Sequence, residues 1–242
     1  MAATPSPAPV RARVLGVPVD VGDVFARALD LHRRGGGQIV TLNAEMTMAA
    51  KTNSDLGAVI EAAELVIPDG AGVVWALGRQ GYRVHRTPGI ETARKLLEHA
   101  AASSWRVALV GASPDVIDLL RVILHREMPN LWVVLSSTGF LRPEDWPHLE
   151  QELLACQPDL VLAALGVPRQ ETWIQRVRAG QNGLWMGVGG SFDVWAGVKK
   201  RAPNWMSTLQ IEWLYRLLKE PRRWRRMLAL PLFAWAVLRQ RL

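Results

Sequence analysis

The sequence predicts an α/β fold: a Rossmann-like, mostly parallel sheet with helices on both faces, followed by a basic, helical C-terminal appendage. Three observations carry this. Apolar segments of strand length alternate with segments of helical period through most of the chain. Short polar and glycine-rich sequences recur where each apolar strand ends, as expected of a sheet that offers its loops at one edge. At Lys199 the alternation stops and the charge changes sign.

In chain order, 13–17 reads as an edge strand and 21–34 as a helix. Strands are then predicted over 38–42, 64–67, 105–110, 131–135, 159–165 and 184–188. Helices are predicted over 44–51, 71–80, 90–102, 114–127, 143–156 and 170–178. Beyond the sheet, 205–219 has the period of an amphipathic helix, with Leu209, Trp213, Leu214 and Leu217 near one face, and Pro221 ends it. No internal repeat is present. Three regions follow: a disordered Ala- and Pro-rich leader over 1–11, a core over 12–198 and an appendage over 199–242. The leader lacks a positive region ahead of an apolar run, so it fits neither a secretory signal nor an anchor.

Composition narrows the function classes. A chain of 242 residues that is 49% hydrophobic buries one good core. Residues 199–242 hold eleven of the 29 Lys and Arg but only Glu212 and Glu220 among 22 acidic residues, which leaves the body near −2. That tail also carries Trp205, Trp213, Trp224 and Trp235, a mixture suited to an anionic, partly apolar surface such as a membrane. Its longest apolar run, 227–238, contains Pro231 and is well short of the roughly 20 residues a spanning helix needs, so the tail is expected to lie on a membrane. An Arg cluster with interleaved Trp also fits nucleic acid, but an apolar stripe beside it favours lipid. Cys156 is the only cysteine and is expected to be a buried structural thiol.

The candidate chemistry gathers at the strand ends. Asp69, in a Pro-Asp-Gly turn, has the chemistry of a general base for an acceptor hydroxyl, and equally that of a turn or helix-capping residue. Thr41 and Asn43 suit hydrogen bonds to a sugar or base, and Asn43 also suits a helix cap. Arg86, ahead of a helix, suits a diphosphate together with that helix terminus. Gly111 follows a third strand, and Gln170 opens a helix so that its amide is expected to face the rim. Gly189 and its neighbour Gly190 allow a phosphate close to the backbone, or form a tight turn. With Gly187 they fall short of a dinucleotide fingerprint, which argues against a nicotinamide-dependent oxidoreductase. Two carboxylates two residues apart occur only within a predicted helix, and the five histidines lack ligand spacing, so neither a metal nor a cofactor is expected.

Taken in order, Thr41-Leu-Asn43, Pro68-Asp69-Gly70-Ala-Gly72, Arg86 with Gly89, and Gly166-Val-Pro168-Arg-Gln170-Glu171 form one series. Gly189-Gly190-x-Phe192-Asp193 with Ala196-Gly197, Arg201-Ala-Pro203 and Glu212-Trp213-x-x-Arg216 continue it. This series resembles the WecG/TagA/CpsF glycosyltransferase family, whose enzymes extend lipid-linked sugars for bacterial surface polymers. The resemblance spans roughly 12–226.

The resemblance implies an inverting, metal-independent transfer of N-acetylmannosamine, or its uronic acid, from a UDP-sugar to N-acetylglucosamine linked through diphosphate to undecaprenol. It implies that Asp69 is the base, that Thr41, Asn43, Arg86 and Gln170 line the pocket, and that Arg216, Arg222 and Arg225 meet the diphosphate at the membrane. The implied enzyme is cytoplasmic and peripheral on the inner face of the cell membrane, with no nucleic-acid partner, and the sequence does not fix its oligomeric state. Two departures, His85 where an acidic residue is common and Gly89-Ile-Glu91 where Gly-x-Asp is usual, leave open another donor such as UDP-glucose. A nucleic-acid-binding module using the basic tail is the reading from a different class.

Overall fold

The continuous apolar runs of the sequence form the centre of the computed structural model, whose described residues are 10–203, 206, 212–219 and 224–240. Six strands make a parallel sheet: β3 (Gly37–Leu42), β4 (Leu65–Pro68), β5 (Arg106–Gly111), β6 (Trp132–Ser137), β7 (Leu160–Ala164) and β8 (Leu184–Gly187), in the order β4-β3-β8-β7-β5-β6. Because all six run the same way, their carboxyl ends form one edge. The α/β expectation of helices on both faces holds.

Alternate strand residues serve opposite faces. Ile39, Ile67, Leu109, Leu162 and Met186 meet α1 (Val24–Arg33), α5 (Gly89–Ala102), α6 (Pro114–Glu127) and α9 (Ser191–Trp195). On the other face, Val40, Leu42 and Val66 meet α2 (Ala44–Thr52), α3 (Ser54–Ala62) and α4 (Ala71–Arg79). Farther along that face, Ala108, Val161, Ala163 and Trp185 meet α7 (Trp146–Ala155) and α8 (Arg169–Val177). Each fully buried side chain of this kind contributes roughly 1.5–3 kcal/mol, so the strand stems are the firm frame from which the rim loops project.

The structure corrects the sequence reading at several elements. Val10 and Arg11, assigned to the leader, begin β1 (Val10–Val14), while residues 1–9 lie outside the described residues. The expected edge strand over 13–17 is instead a hairpin of β1 and β2 (Val17–Val21), a separate two-stranded antiparallel sheet that packs against α3 and α4. The following helix starts at Val24, because Asp23 caps it by accepting the Ala26 N–H at 3.0 Å. Helix α3 was not foreseen. The predicted helix over 143–156 opens as a 3₁₀ turn at Pro143–Asp145. Cys156, expected buried, is partly exposed.

In the appendage, α10 (Glu212–Lys219), α11 (Trp224–Met227) and α12 (Ala229–Arg239) are described; 205 and 207–211, including Leu209, lie outside. Pro231 falls in the first turn of α12, where its missing N–H breaks no intrahelical bond. Helix α12 is apolar on two sides. Phe233 and Val237, four residues apart, are buried in the cluster shared by α2 and α4, whereas Leu232, Trp235 and Leu238 are exposed. No helix among the described residues is long and apolar enough to cross a membrane.

Candidate active site

The site begins where β3 and β4 end side by side. The β3 carbonyl of Leu42 accepts the N–H of Asp69 at 3.0 Å and of Gly70 at 3.3 Å, which carries the pairing of the two strands into the Pro-Asp-Gly turn. Asp69 is therefore held at the rim, partly exposed, not sealed in the core. Its Oδ1 accepts the N–H of Gly89, the first residue of α5, at 2.9 Å. The positive end of that helix thus faces the carboxylate. Its carbonyl accepts the Nε–H of Arg86 at 2.8 Å, and the Thr87 N–H reaches the Pro68 carbonyl at 3.0 Å, so the segment carrying Arg86 is laid along the same turn.

Thr41 closes this cluster from β3. A Cβ on Gly89 would lie 2.6 Å from Thr41 Cγ2, which is why a residue with no side chain starts α5 there. Asn43 is the N-cap of α2: its Oδ1 accepts the Met46 N–H at 2.9 Å, the capping alternative recognised in the sequence. Thr41, Asn43, Asp69 and Arg86 are thus brought together by the ends of two adjacent strands and the starts of three helices.

A second group sits at the ends of β7 and β8. Gln170, 2% exposed, accepts the Gly166 N–H at 3.2 Å and the Gly189 N–H at 3.0 Å with its Oε1. Its Nε2 donates to Glu171 Oε1 at 2.7 Å. The amide expected to face the rim is engaged within the protein, binding the loop after β7 to the loop after β8. Gly111 stands farther along the edge on β5, where φ of +125° and an Ala164 carbonyl 2.5 Å from any added Cβ require glycine.

Ion pairs tie the described part of the appendage to the rim. Arg201 meets Glu91 in the first turn of α5 at 2.6 Å, and Arg226 meets Glu45 in the first turn of α2. Both helices begin at the Asp69 cluster. Neither acid was singled out as an anchor, because an acid in a first turn is ordinary for a helix dipole and carries no further signal. Arg222 lies outside the described residues; Arg216 and Arg225 fall in α10 and α11, and their side chains lie outside them as well.

A groove of about 1220 Å³ lies elsewhere. It runs along the edge strand β6, at the opposite border of the sheet from β4, lined by Val122, Trp132 and Cys156 among others. None of the rim residues line it. The candidate site is the carboxylate, hydroxyl and guanidinium set around Asp69.

Comparison with known proteins gives a consistent answer. The family model described as "Glycosyl transferase WecG/TagA/CpsF family" matches residues 12–242. The chain is similar to a protein of Bacillus subtilis strain 168, 36% identical over 212 residues, which cover 87% of this chain and 82% of that one. It is likewise 36% identical to a protein of Bacillus spizizenii strain W23 over 211 residues, or 86% and 81%. Both relatives bear the name N-acetylglucosaminyldiphosphoundecaprenol N-acetyl-beta-D-mannosaminyltransferase.

Proposed function

Since the chain belongs to the WecG/TagA/CpsF glycosyltransferase family, we propose that it transfers N-acetylmannosamine from a UDP-sugar to N-acetylglucosamine carried on undecaprenyl diphosphate. The work is done at the inner face of the cell membrane, in surface polysaccharide or teichoic acid synthesis. The observation that carries this reading is a partly exposed carboxylate, Asp69, held by the Gly89 N–H beside Thr41 and followed by a backbone carbonyl that takes Arg86, on a chain related over most of its length to transferases of that name.

In this reading Asp69 takes the proton of the acceptor hydroxyl as its oxygen attacks the anomeric carbon, and UDP departs from the opposite side with inversion. The Gly89 N–H fixes one carboxylate oxygen, so the group meets the hydroxyl in a set orientation. Negative charge growing on the departing diphosphate is met by Arg86, by helix N-termini at the rim and by Arg216, Arg222 and Arg225 of the appendage. We read the step as metal-independent, because no strand ends on two carboxylates two residues apart and the arginines supply the positive charge. Thr41 and Asn43 supply hydrogen bonds to the donor. Gln170 and Gly189 act one step back, by shaping the loops that the donor meets.

The appendage supplies the lipid contact. The exposed side of α12 and its neighbours presents Trp224, Leu228, Leu232, Trp235 and Leu238, with Arg226 and Arg239 beside them. Aromatic and basic residues bordering an apolar stripe are the composition of a helix that lies in a headgroup region. A donor screen with a short-chain lipid-diphosphate N-acetylglucosamine acceptor, read by mass spectrometry, tests the proposal. A product heavier by one N-acetylhexosamine, formed only from UDP-N-acetylmannosamine, supports it; transfer of a different sugar, or none with any donor, overturns it.

A further inference from the structure

Two buried acceptors that touch each other's residues have no donor. Glu171, in the first turn of α8, is 2% exposed; its Oε1 accepts from Gln170, and its Oε2 has no partner. Gln38 on β3 is 1% exposed. Its Nε2 donates to the Glu171 carbonyl at 3.1 Å, and its Oε1 has no partner either. The orientation of both amides is dictated by the backbone. The Glu171 carbonyl demands the NH₂ end of Gln38, and two N–H groups demand the oxygen end of Gln170. Only a proton on Glu171 turns one of the two orphan acceptors into a donor.

The surroundings favour that proton. Strands β3, β7 and β8 contain no charged residue. From α3, Asp55 and Glu61 are exposed and engage Ser54 and Arg13. Beside it, Glu64 takes the Gln38 N–H and Arg178. On α8 itself, Arg169 stacks over Trp146 and Arg176 pairs with Glu150. Among the described residues no cation bonds the Glu171 carboxyl, and an unpaired buried carboxylate is costly.

We propose that Glu171 is held as a neutral carboxylic acid whose O–H donates to Gln38 and whose other oxygen fixes the Gln170 amide, making it the positioning residue for the glycine loops after β7 and β8. Burial pushes this carboxyl up to about 7, against the lowering effect of the Gln170 bond and its own backbone. In the unfolded chain the group titrates near 4.3. Between those values the folded protein holds the proton that the unfolded chain has lost, so stability falls as pH rises from about 4.5 to about 7 and is level above.

The test compares the full chain with Glu171→Gln, an isosteric neutral donor, and Glu171→Leu. Glu171→Gln is expected to unfold at the same temperature as the wild type near pH 5 and at least about 4 °C higher near pH 8. A difference that is constant with pH, or of opposite sign, overturns the proposal. Should Glu171→Gln fail to fold, infrared spectroscopy of the wild type decides. A carboxylic acid C=O band near pH 6 that is gone near pH 8.5 supports a neutral Glu171; no band titrating in that range refutes it.

The effect on transfer rests on the function proposed above. At pH 6, Glu171→Gln should keep kcat/KM within about twofold, and Glu171→Leu should lose about tenfold or more, from unsupported loops. An inactive wild type with the expected unfolding behaviour refutes the transferase reading alone. Equal losses in both variants refute the positioning role.

Discussion

The carboxylate of Asp69 accepts the first N–H of α5, that of Gly89, at 2.9 Å, so a turn after β4 and a helix twenty residues later meet at one side chain. Asp69 therefore has a structural bond alongside its proposed chemical task, and the two are separable by substitution. Asp69→Asn keeps an oxygen for Gly89 but cannot take a proton. Turnover should fall by about 10²–10⁴-fold while unfolding shifts by no more than about 1 kcal/mol and calorimetric binding of UDP persists. Near-normal turnover would remove Asp69 from the role of base.

Gly89→Ala drives a methyl into Thr41 and should cost about 1–3 kcal/mol by denaturant unfolding. Thr41→Ser removes the offending Cγ2, so the double variant should recover a good part of that loss. Strict additivity of the two changes would show that they do not touch.

Gln170→Leu leaves the Gly166 and Gly189 N–H groups without their acceptor. The expected cost is about 2–5 kcal/mol, with faster amide exchange in both loops by mass spectrometry. Unchanged protection of Gly189 would contradict the tie between the loops.

Deleting residues 199–242 would not isolate the proposed membrane contact, because Phe233 and Val237 belong to the buried cluster of α2 and α4. The exposed side can be changed alone. Leu232→Asp with Trp235→Asp should abolish co-sedimentation with anionic liposomes at a change in stability within about 1 kcal/mol, whereas Phe233→Ala should cost about 3–5 kcal/mol. Liposome binding that survives the double substitution would rule out α12 as the contact.

The main sheet was legible because its strands are short apolar runs closed by glycine, proline or asparagine, and α6 because Pro114 opens a clean helical period. The hairpin was not. Leu15 looks like part of an apolar strand, yet with φ of +52° beside Gly16 at +87° it forms the turn. Helix α3 was hidden for a similar reason: Asn53 both ends α2 and caps α3 by accepting the Leu56 N–H, so nothing in the period marks a break.

At the site, the residue types and their convergence on one edge were readable, since all but Arg86 lie at or just after a strand end and Arg86 stands just ahead of a helix. Their partners were not. Gly89 against Thr41, or Gln170 against a loop nineteen residues on, are contacts set by strand order, β3 beside β4 and β8 beside β7, which local sequence does not encode.

Helix α12, sunk by Phe233 and Val237 against α4, is tethered two residues downstream of the Asp69 turn, where α4 begins. It cannot swivel without unseating that packing. Whatever plane its outward Leu232 and Trp235 settle on, the Asp69 carboxylate stands at a constant altitude above it. On the function proposed above, that fixed height acts as a gauge: a hydroxyl borne one sugar above the diphosphate comes level with Asp69, and one borne on a longer chain overshoots.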